Sequence, residues 1–338
     1  MLTLADIRRH LDSLTKPPGS LGRLEDLAAR LCLIQQTLKP RARPRRAVLF
    51  AADHGVVVEG VTAWPAEVTG LMVRNIVAGG AASSVLARSS GTDLRVVDVG
   101  TLGPPLPDGE NHKSRRVRAG SRNLAMEPAL TAEEFAQAVA IGRDEAAEAA
   151  RWGAVVVAAG EMGIGNSTPA SCLTALLTGL SAEEAVGRGA GASPETVARK
   201  QAVVARAVNS CRDQLDSDPA GAIAAVAGLE IAAMVGFFQG AADLGLTIIL
   251  DGFIATSASL AAERLRPGTV GAMIAAHRSA EPGHTAALTA LGLEPFLDSW
   301  QMRLGEGSGA LLLMPLLDAV VAVVIEMATF AAAGISAE

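Results

Sequence analysis

The sequence predicts an α/β fold: a doubly wound parallel sheet flanked by helices, with a small helical domain formed from both chain ends. Short runs rich in β-branched residues alternate with long Ala-rich stretches, and this alternation is typical of parallel strands joined by covering helices. Composition agrees, because aromatic residues make up 3% of the 338 residues and Tyr is absent, while glycine occurs 35 times. Small side chains gain their burial from the close backbone approach that layered packing provides.

Five runs are predicted to be strands. They are Ala47–Ala52, Leu94–Val99, Ala154–Ala159, Thr247–Leu250 and Val270–Ala275. Polar residues stand at or near their ends: Asp53 with His54, then Asp98, Glu161, Asp251 and His277. In an open parallel sheet the carboxyl ends of the strands meet at one edge, and ligands bind there. The pattern therefore predicts an active site at this edge.

The two chain ends contain helices without strands to connect. Leu4–Leu14 and Arg23–Leu38 are predicted helices separated by the breaker KPPGSLG, and Gly309–Ala333 is a third. We expect residues 1–40 and part of 305–338 to form the small domain, and residues 41–304 to form the large α/β domain. The segment Gly103–Lys113, which has three prolines, is predicted to be a surface loop.

Charge and composition exclude several classes of protein. With 29 Lys and Arg against 35 Asp and Glu, no basic surface for nucleic acid is expected, and the basic run Lys39–Arg46 is interpreted as a solvated loop. The apolar stretches Ala220–Leu250 and Gly309–Ala333 contain acidic residues and are interpreted as core, not as membrane spans. No signal peptide is evident, and three cysteines without CxxC spacing indicate neither disulfides nor zinc. A cytoplasmic protein is predicted.

A glycine-rich loop, GEMGIGNSTP at residues 160–169, follows the third predicted strand and precedes a helix. Gly163 and Gly165 allow close approach of the backbone to a ligand, and Ser167 or Thr168 can cap the helix. Backbone amides at such a helix start can hold a phosphate. A tight structural turn without a ligand is the alternative interpretation, and the carboxylate of Glu161 inside the turn argues against that alternative.

A second loop, LGEGSG at residues 304–309, places Glu306 between glycines ahead of an apolar helix. A carboxylate approached freely from both sides suits contact with a ligand, although a capping acid at the helix start is an equal alternative. A third cluster, GRGAG at residues 187–191, contains an arginine suited to a phosphate.

Other motifs give only weak support to other functions. Residues 277–284 read HRSAEPGH, but they lack the helical spacing of metal ligands, so no metal is predicted. Asp53-His54-Gly55 suggests acid–base chemistry, but no GxSxG nucleophile turn supports a hydrolase. An NAD-dependent oxidoreductase is the alternative enzyme, although the sequence lacks a dinucleotide fingerprint. A binding protein descended from an enzyme would require loss of Glu161 and Glu306, and both are present.

Seven motifs together resemble the nicotinate-nucleotide:dimethylbenzimidazole phosphoribosyltransferase family nearly end to end. They are KPPGSLGRLE at 16–25, ADHGVVVEGVTAWPAEVT at 52–69, VVDVG at 96–100, GEMGIGNSTPA at 160–170, LDGFIATSA at 250–258, HRSAEPG at 277–283 and MRLGEGSGA at 302–310. The resemblance implies a homodimer that transfers phosphoribose from nicotinate mononucleotide to 5,6-dimethylbenzimidazole. The products are α-ribazole 5′-phosphate and nicotinate, for assembly of the lower ligand of cobamides. The resemblance implies no metal and no organic cofactor.

The resemblance also implies roles for individual residues. Glu306 matches the base that takes the proton of the attacking benzimidazole, while Glu161 and Lys200 match a supporting carboxylate and a positive group near the nucleotide. The phosphate-side loop comprises Gly163, Gly165, Asn166, Ser167 and Thr168. Gly189, Met162 and Leu304 are assigned to substrate binding, and Trp64 and Met72 to the base pocket. Some family members carry small or amide side chains at these last two positions, which leaves the accepted base open.

Overall fold

A computed structural model describes residues 1–189 and 191–335 of the chain. Ala190, in the third glycine cluster, and residues 336–338, at the end of the predicted C-terminal region, lie outside the described residues. The strands of the described part are β1 Arg45–Ala52, β2 Asp93–Gly100, β3 His112–Ser114, β4 Val156–Met162, β5 Thr247–Leu250 and β6 Met273–Ala275. They form one parallel sheet in the order β3-β2-β1-β4-β5-β6. The predicted doubly wound sheet is confirmed.

Helices cover both faces of this sheet. Their bounds are α1 Leu4–Ser13, α2 Arg23–Gln35, α3 Glu67–Val77, α4 Ala82–Ser90, α5 Ala132–Arg151, α6 Ser167–Thr178, α7 Ala182–Ala185, α8 Pro194–Cys211, α9 Pro219–Val226, α10 Leu229–Asp243, α11 Phe253–Leu265, α12 Gly283–Ala290 and α13 Ser308–Glu326. Strand order reverses between β1 and β4, so the crevice at their carboxyl ends is the topological switch point where such sheets bind ligands.

Alternate residues of the strands enter two different cores. Val48 and Phe50 of β1, with Val157 of β4, join the core formed with α5, α10 and α11. Val156 and Ala158 of β4 point the other way, into a core shared with α1, α2 and α13. The period of two follows from the pleat of the strand. It explains why strands covered on both faces are apolar at nearly every position.

The helices of the two chain ends pack together. α2 contacts α1 and α13, and their apolar residues form one core with the face of β4, β5 and β6. The division into a small and a large domain stays a prediction. The last helix is shorter than predicted, because α13 ends at Glu326 and is followed by turns.

Two polar segments predicted to be loops end inside strands, so those interpretations were wrong at their last two residues. Arg45 and Arg46, placed in a solvated loop from the sequence, are buried in β1. Arg45 is held by the carboxylate of Asp318 on α13, 3.1 Å away, and by the carbonyl oxygen of Met314. The predicted loop Gly103–Lys113 runs into β3, which extends the sheet beside β2.

Two apolar segments, Glu67–Ser90 and Ser308–Glu326, have the length and hydropathy of a membrane span. The second is α13, and half of its window is buried inside the chain, as in a core helix. The first comprises α3 and α4, which cover β1 and β2. The stretch Ala220–Leu250 forms α9, α10 and β5, in the middle of the main core.

Candidate functional site

A cavity of about 470 Å³ lies at the carboxyl ends of β1, β4, β5 and β6. Of the predicted site residues, it is lined by Trp64, Met72, Glu161, Met162, Gly163, Gly165, Asn166, Ser167, Gly189, Leu304 and Glu306. Thr168 and Lys200 lie behind the lining and are buried. Loops distant in the sequence therefore converge on one space, as the strand-end argument predicted.

The loop after β4 forms one wall of this cavity. Glu161 is the penultimate residue of β4, and α6 begins at Ser167. The predicted cap was wrong, because Asn166 occupies the N-cap position and Ser167 and Thr168 lie inside the helix. The side chain of Asn166 turns back and donates a hydrogen bond to Glu161 Oε2. The start of α6 therefore has no side-chain cap, and Ser167 lines the cavity.

Glu306 occupies a strained position at the opposite wall. Gly305, Glu306 and Gly307 all have left-handed backbones, with φ of 82°, 58° and 71°. A non-glycine residue in this region costs about 1–3 kcal/mol and persists where the surrounding structure enforces it. The Glu306 carboxylate is 4% exposed and accepts a hydrogen bond from Ser83 Oγ at 3.1 Å.

The close approach of this loop to β4 requires a glycine. A Cβ on Gly160 would lie 2.5 Å from the nitrogen of Gly307 and 2.7 Å from the carbonyl carbon of Glu306. Only a residue without a side chain fits at that position. The two glutamates are thereby held in the same buried space.

Burial determines the charge of Glu161. Removal from water, reinforced by the nearby carboxylates of Glu230, Asp251 and Glu306 and opposed by the hydrogen bond from Asn166, raises the pKa of its carboxyl to about 8. Two carboxyl groups close together in a dry site resist carrying two charges. At neutral pH Glu161 therefore holds a proton.

A lysine stands behind the phosphate-side loop. Lys200 on α8 is buried, and its Nζ donates to Ser167 Oγ at 2.8 Å and to the carbonyl oxygen of Gly187 at 3.4 Å. Burial lowers the pKa of Lys200 to about 8, although the Glu281 carboxylate opposes this shift. The lysine thus fixes the Ser167 hydroxyl and supplies a positive charge below pH 8.

Several residues of the cavity were not among the predicted site residues. Asp251, at the end of β5, accepts hydrogen bonds from the amides of Gly309 and Ala310 at 2.7 and 3.2 Å, which anchors the start of α13. His277, after β6, lies 3.9 Å from Asp251 Oδ1. The strand-end pattern of the sequence placed both at this edge of the sheet, but neither was assigned a role in the site.

The HRSAEPGH segment also contributes to the wall. Glu281 Oε1 accepts from the amide of Gly189 at 2.9 Å, and both residues line the cavity. His284 Nδ1 accepts from the amide of Ser279 at 2.8 Å. Its Nε2 therefore carries the proton and donates to Thr256 Oγ1 at 2.9 Å. Burial lowers the pKa of His284 to about 3, so this ring is a neutral support of the wall.

The remaining wall is apolar. It is formed by Val61, Trp64, Val68, Met72, Ile164, Phe253, Ile254 and Leu304. Trp64 and Leu304 are about half exposed, at 50% and 57%, and stand at the mouth. A flat apolar ring would fit between such side chains. The cavity therefore combines an apolar part, buried carboxyl groups and a glycine-rich loop backed by a lysine, which suits group transfer between a flat ring and a phosphorylated ligand.

The chain is similar to known proteins along its whole length. A family model described as a phosphoribosyltransferase matches residues 3–335. A nicotinate-nucleotide–dimethylbenzimidazole phosphoribosyltransferase of Thermus thermophilus is 46% identical over 98% of both chains. The protein of that name from Chlorobaculum tepidum is 43% identical over 98% of this chain and 93% of its own. A crystal structure of CobT from Thermus thermophilus superposes with a TM-score of 0.95 at 45% identity, covering 99% of each chain.

Proposed function

The chain belongs to the phosphoribosyltransferase family that matches residues 3–335, and we propose that it transfers phosphoribose from nicotinate mononucleotide to 5,6-dimethylbenzimidazole or a related base. The products are α-ribazole 5′-phosphate and nicotinate. One observation carries the proposal beyond the names of the relatives: the strained, buried Glu306 faces the same cavity as the apolar wall and the loop backed by Lys200. The relatives lend no support to an oxidoreductase.

The chemistry of this transfer needs few protein groups. The bond between ribose C1′ and the pyridinium nitrogen breaks, and its electron pair returns to a ring that leaves without a proton. A nitrogen of the benzimidazole forms the new bond to C1′, and its other nitrogen loses a proton to Glu306. A positioned base contributes about 10²–10⁴-fold to such a step. Attack on the face opposite the leaving group converts the β linkage into an α linkage.

The two ends of the cavity suit the two substrates. The phosphate would bind at the amides of the loop Gly163–Thr168 and the start of α6, near the Lys200 ammonium. The base would lie between Trp64, Met72 and Leu304, with its free nitrogen towards Glu306. Holding both rings in line supplies several kcal/mol, because effective molarities of oriented reactants correspond to about 7–11 kcal/mol.

A direct assay tests the proposal. Purified protein is incubated with nicotinate mononucleotide and a panel of benzimidazoles, purines and phenols, and the products are identified by mass. A ribosyl phosphate of a benzimidazole together with free nicotinate is the expected result. Glu306→Gln serves as the matched control, since it keeps the shape of the side chain and removes the base. No product with any base would refute the proposal.

We also propose that the protein is a homodimer. Leu312, Leu316, Ala319 and Val323 form one face of α13 that is exposed or partly exposed, and the exposed Val85 lies on α4, which packs against α13. Exposed apolar faces of this kind suit a two-fold contact. Leu316→Glu should give a monomer by light scattering, whereas Leu244→Glu, at a leucine after α10 that is 49% exposed against 39% for Leu316, should not. A wild-type monomer at micromolar concentration would contradict the dimer.

A cytoplasmic location completes the proposal. Cys32, Cys172 and Cys211 are free and buried, as in proteins of reducing compartments. Fractionation of cells that express a tagged protein tests the location, and recovery with the membrane or periplasm would contradict it.

A further inference from the structure

A buried ion pair lies beneath the cavity and has no role in the transfer described above. His54 follows β1 directly, and Glu230 lies in the first turn of α10. His54 Nε2 is 3.0 Å from Glu230 Oε1, and the side chains are 1% and 0% exposed. Neither residue is among the described residues that line the cavity. Burial of two charged groups is costly, so this pair calls for a reason beyond packing.

The imidazole of His54 packs directly on the backbone of two loops. A Cβ on Gly163 would lie 2.9 Å from His54 Nε2, and a Cβ on Gly228 would lie 2.3 Å from His54 Cε1. The absence of side chains at both glycines lets the ring fit between the phosphate-side loop and the start of α10. The position of Gly163, and with it that of the loop leading to α6, therefore depends on where Glu230 holds the ring.

The pair also belongs to the charge balance around Glu161. The carboxyls that face Glu161 are Glu230 from α10, Asp251 from the end of β5 and Glu306 from the loop before α13. Two histidines lie beside these carboxyls: His54, beside Glu230 and Asp53, and His277, beside Asp251; the other basic groups at the cavity are Arg188, Arg303 and Lys200. Burial acts to lower the pKa of His54, but the Glu230 carboxylate raises it above the ordinary value. The Glu230 carboxylate thus favours the protonated form of His54.

We propose that His54 and Glu230 are positioning residues, whose ion pair fixes the backbone of the phosphate-side loop and the charge balance around Glu161. This inference rests on the proposed function, because it assigns the pair to the donor end of the same site. A purely structural pair would contribute to stability alone. A positioning pair also changes the affinity for the donor and the ionisation of Glu161.

Two measurements that do not depend on enzymatic turnover test the proposed positioning role of the pair. Binding of nicotinate mononucleotide is measured by calorimetry, and titration of the Glu161 carboxyl is followed by NMR with isotope-labelled glutamate, assigned by Glu161→Gln. Glu230→Gln should weaken donor binding roughly tenfold to a hundredfold, the cost of a small misplacement. It should also lower the pH at which Glu161 titrates by about one unit, because a neighbouring negative charge is removed. His54→Gln should weaken binding equally without lowering that pH.

The double variant His54→Gln/Glu230→Gln guards against misfolding of the single variants, because a neutral pair avoids an uncompensated buried charge. In the double variant, Glu161 should still titrate at a lower pH than in the wild type. The free energy of unfolding of the double variant should nevertheless recover relative to the single variants. Glu145→Gln is the matched control: Glu145 is a buried carboxylate on α5, 3.7 Å from Lys113 Nζ, and its loss should change neither readout. Donor affinity and Glu161 titration that match the wild type in the double variant would overturn the inference. Absence of product in the wild-type assay would refute the proposed function alone.

Discussion

The proton held by Glu161 predicts an unusual dependence of stability on pH. Burial, followed by the charges of Glu230, Asp251 and Glu306, raises the pKa of Glu161 from the ordinary 4.5 to about 8. Between these two values the folded protein keeps a proton that the unfolded chain has released, so a rise in pH favours unfolding. The stability that the protonated Glu161 preserves is fully present below pH 4.5 and is lost as the pH rises through about 8. Glu161→Gln removes it, because glutamine does not ionise.

The magnitude follows from the two pKa values. At 1.36 kcal/mol for each pH unit between them, ionisation of Glu161 lowers the free energy of unfolding by up to about 5 kcal/mol. Glutamine keeps the size of the side chain and an oxygen that can accept the hydrogen bond from Asn166. The free energy of unfolding of Glu161→Gln minus that of the wild type should therefore increase between pH 5 and pH 9, by up to about 5 kcal/mol.

Urea unfolding at pH 5, 7 and 9 measures this difference. Glu133→Gln, at an exposed position in the first turn of α5, is the control and should follow the wild-type curve. If the curves of the wild type and Glu161→Gln run parallel across the whole range, Glu161 is ionised in the folded protein at neutral pH. The assignment of Glu161 as a protonated carboxyl at neutral pH would then fail.

Three further predictions concern the proposed transfer. Glu306→Gln should keep the circular dichroism of the wild type and lower turnover by about 10²–10⁴-fold; near wild-type turnover at pH 7 would exclude it as the base. Lys200→Ala should raise the Michaelis constant for nicotinate mononucleotide and leave the preference among bases unchanged, and the reverse pattern would invert the two ends of the cavity. Trp64→Ala should raise the Michaelis constant for the base alone, and one methyl group on the ring should change specificity by only about 1–3 kcal/mol. Equal effects on both substrates would show that Trp64 is not part of the base pocket.

The sheet could be predicted because its central strands are buried on both faces. Apolar side chains at nearly every position of β1 and β4 leave few alternatives to a strand covered by helices. The edge strand β3, with the sequence HKS, has no such pattern, and only its pairing with β2 defines it. Arg45 was misinterpreted for the same reason, because its partner Asp318 lies on α13 and is not visible in the local sequence.

Prediction of the site from the sequence is limited in the same way, to local patterns. The location of Glu161 and Glu306 at the cavity could be predicted, because glycines around a carboxylate are a local pattern. Glu230 could not, because it lies in the apolar sequence of α10 and acquires its partner only when α10 packs against the end of β1. Side chains whose role depends on a contact between distant elements require the folded arrangement to be identified.

Two groups with a pKa of about 8 lie at the cavity, Glu161 in its wall and Lys200 behind it, and their titration affects binding of the proposed donor in the same direction. Above that pH, Glu161 becomes negative and Lys200 becomes neutral. The loss of each proton therefore makes the net charge at the cavity more negative by one unit, which weakens the attraction for a phosphate. If both groups titrate independently, affinity for nicotinate mononucleotide should fall by up to about a hundredfold for each pH unit above 8, the slope of two protons. Glu161→Gln and Lys200→Met should each reduce that slope to about tenfold. A wild-type affinity that stays constant between pH 7 and pH 10 would mean that the phosphate binds away from both groups.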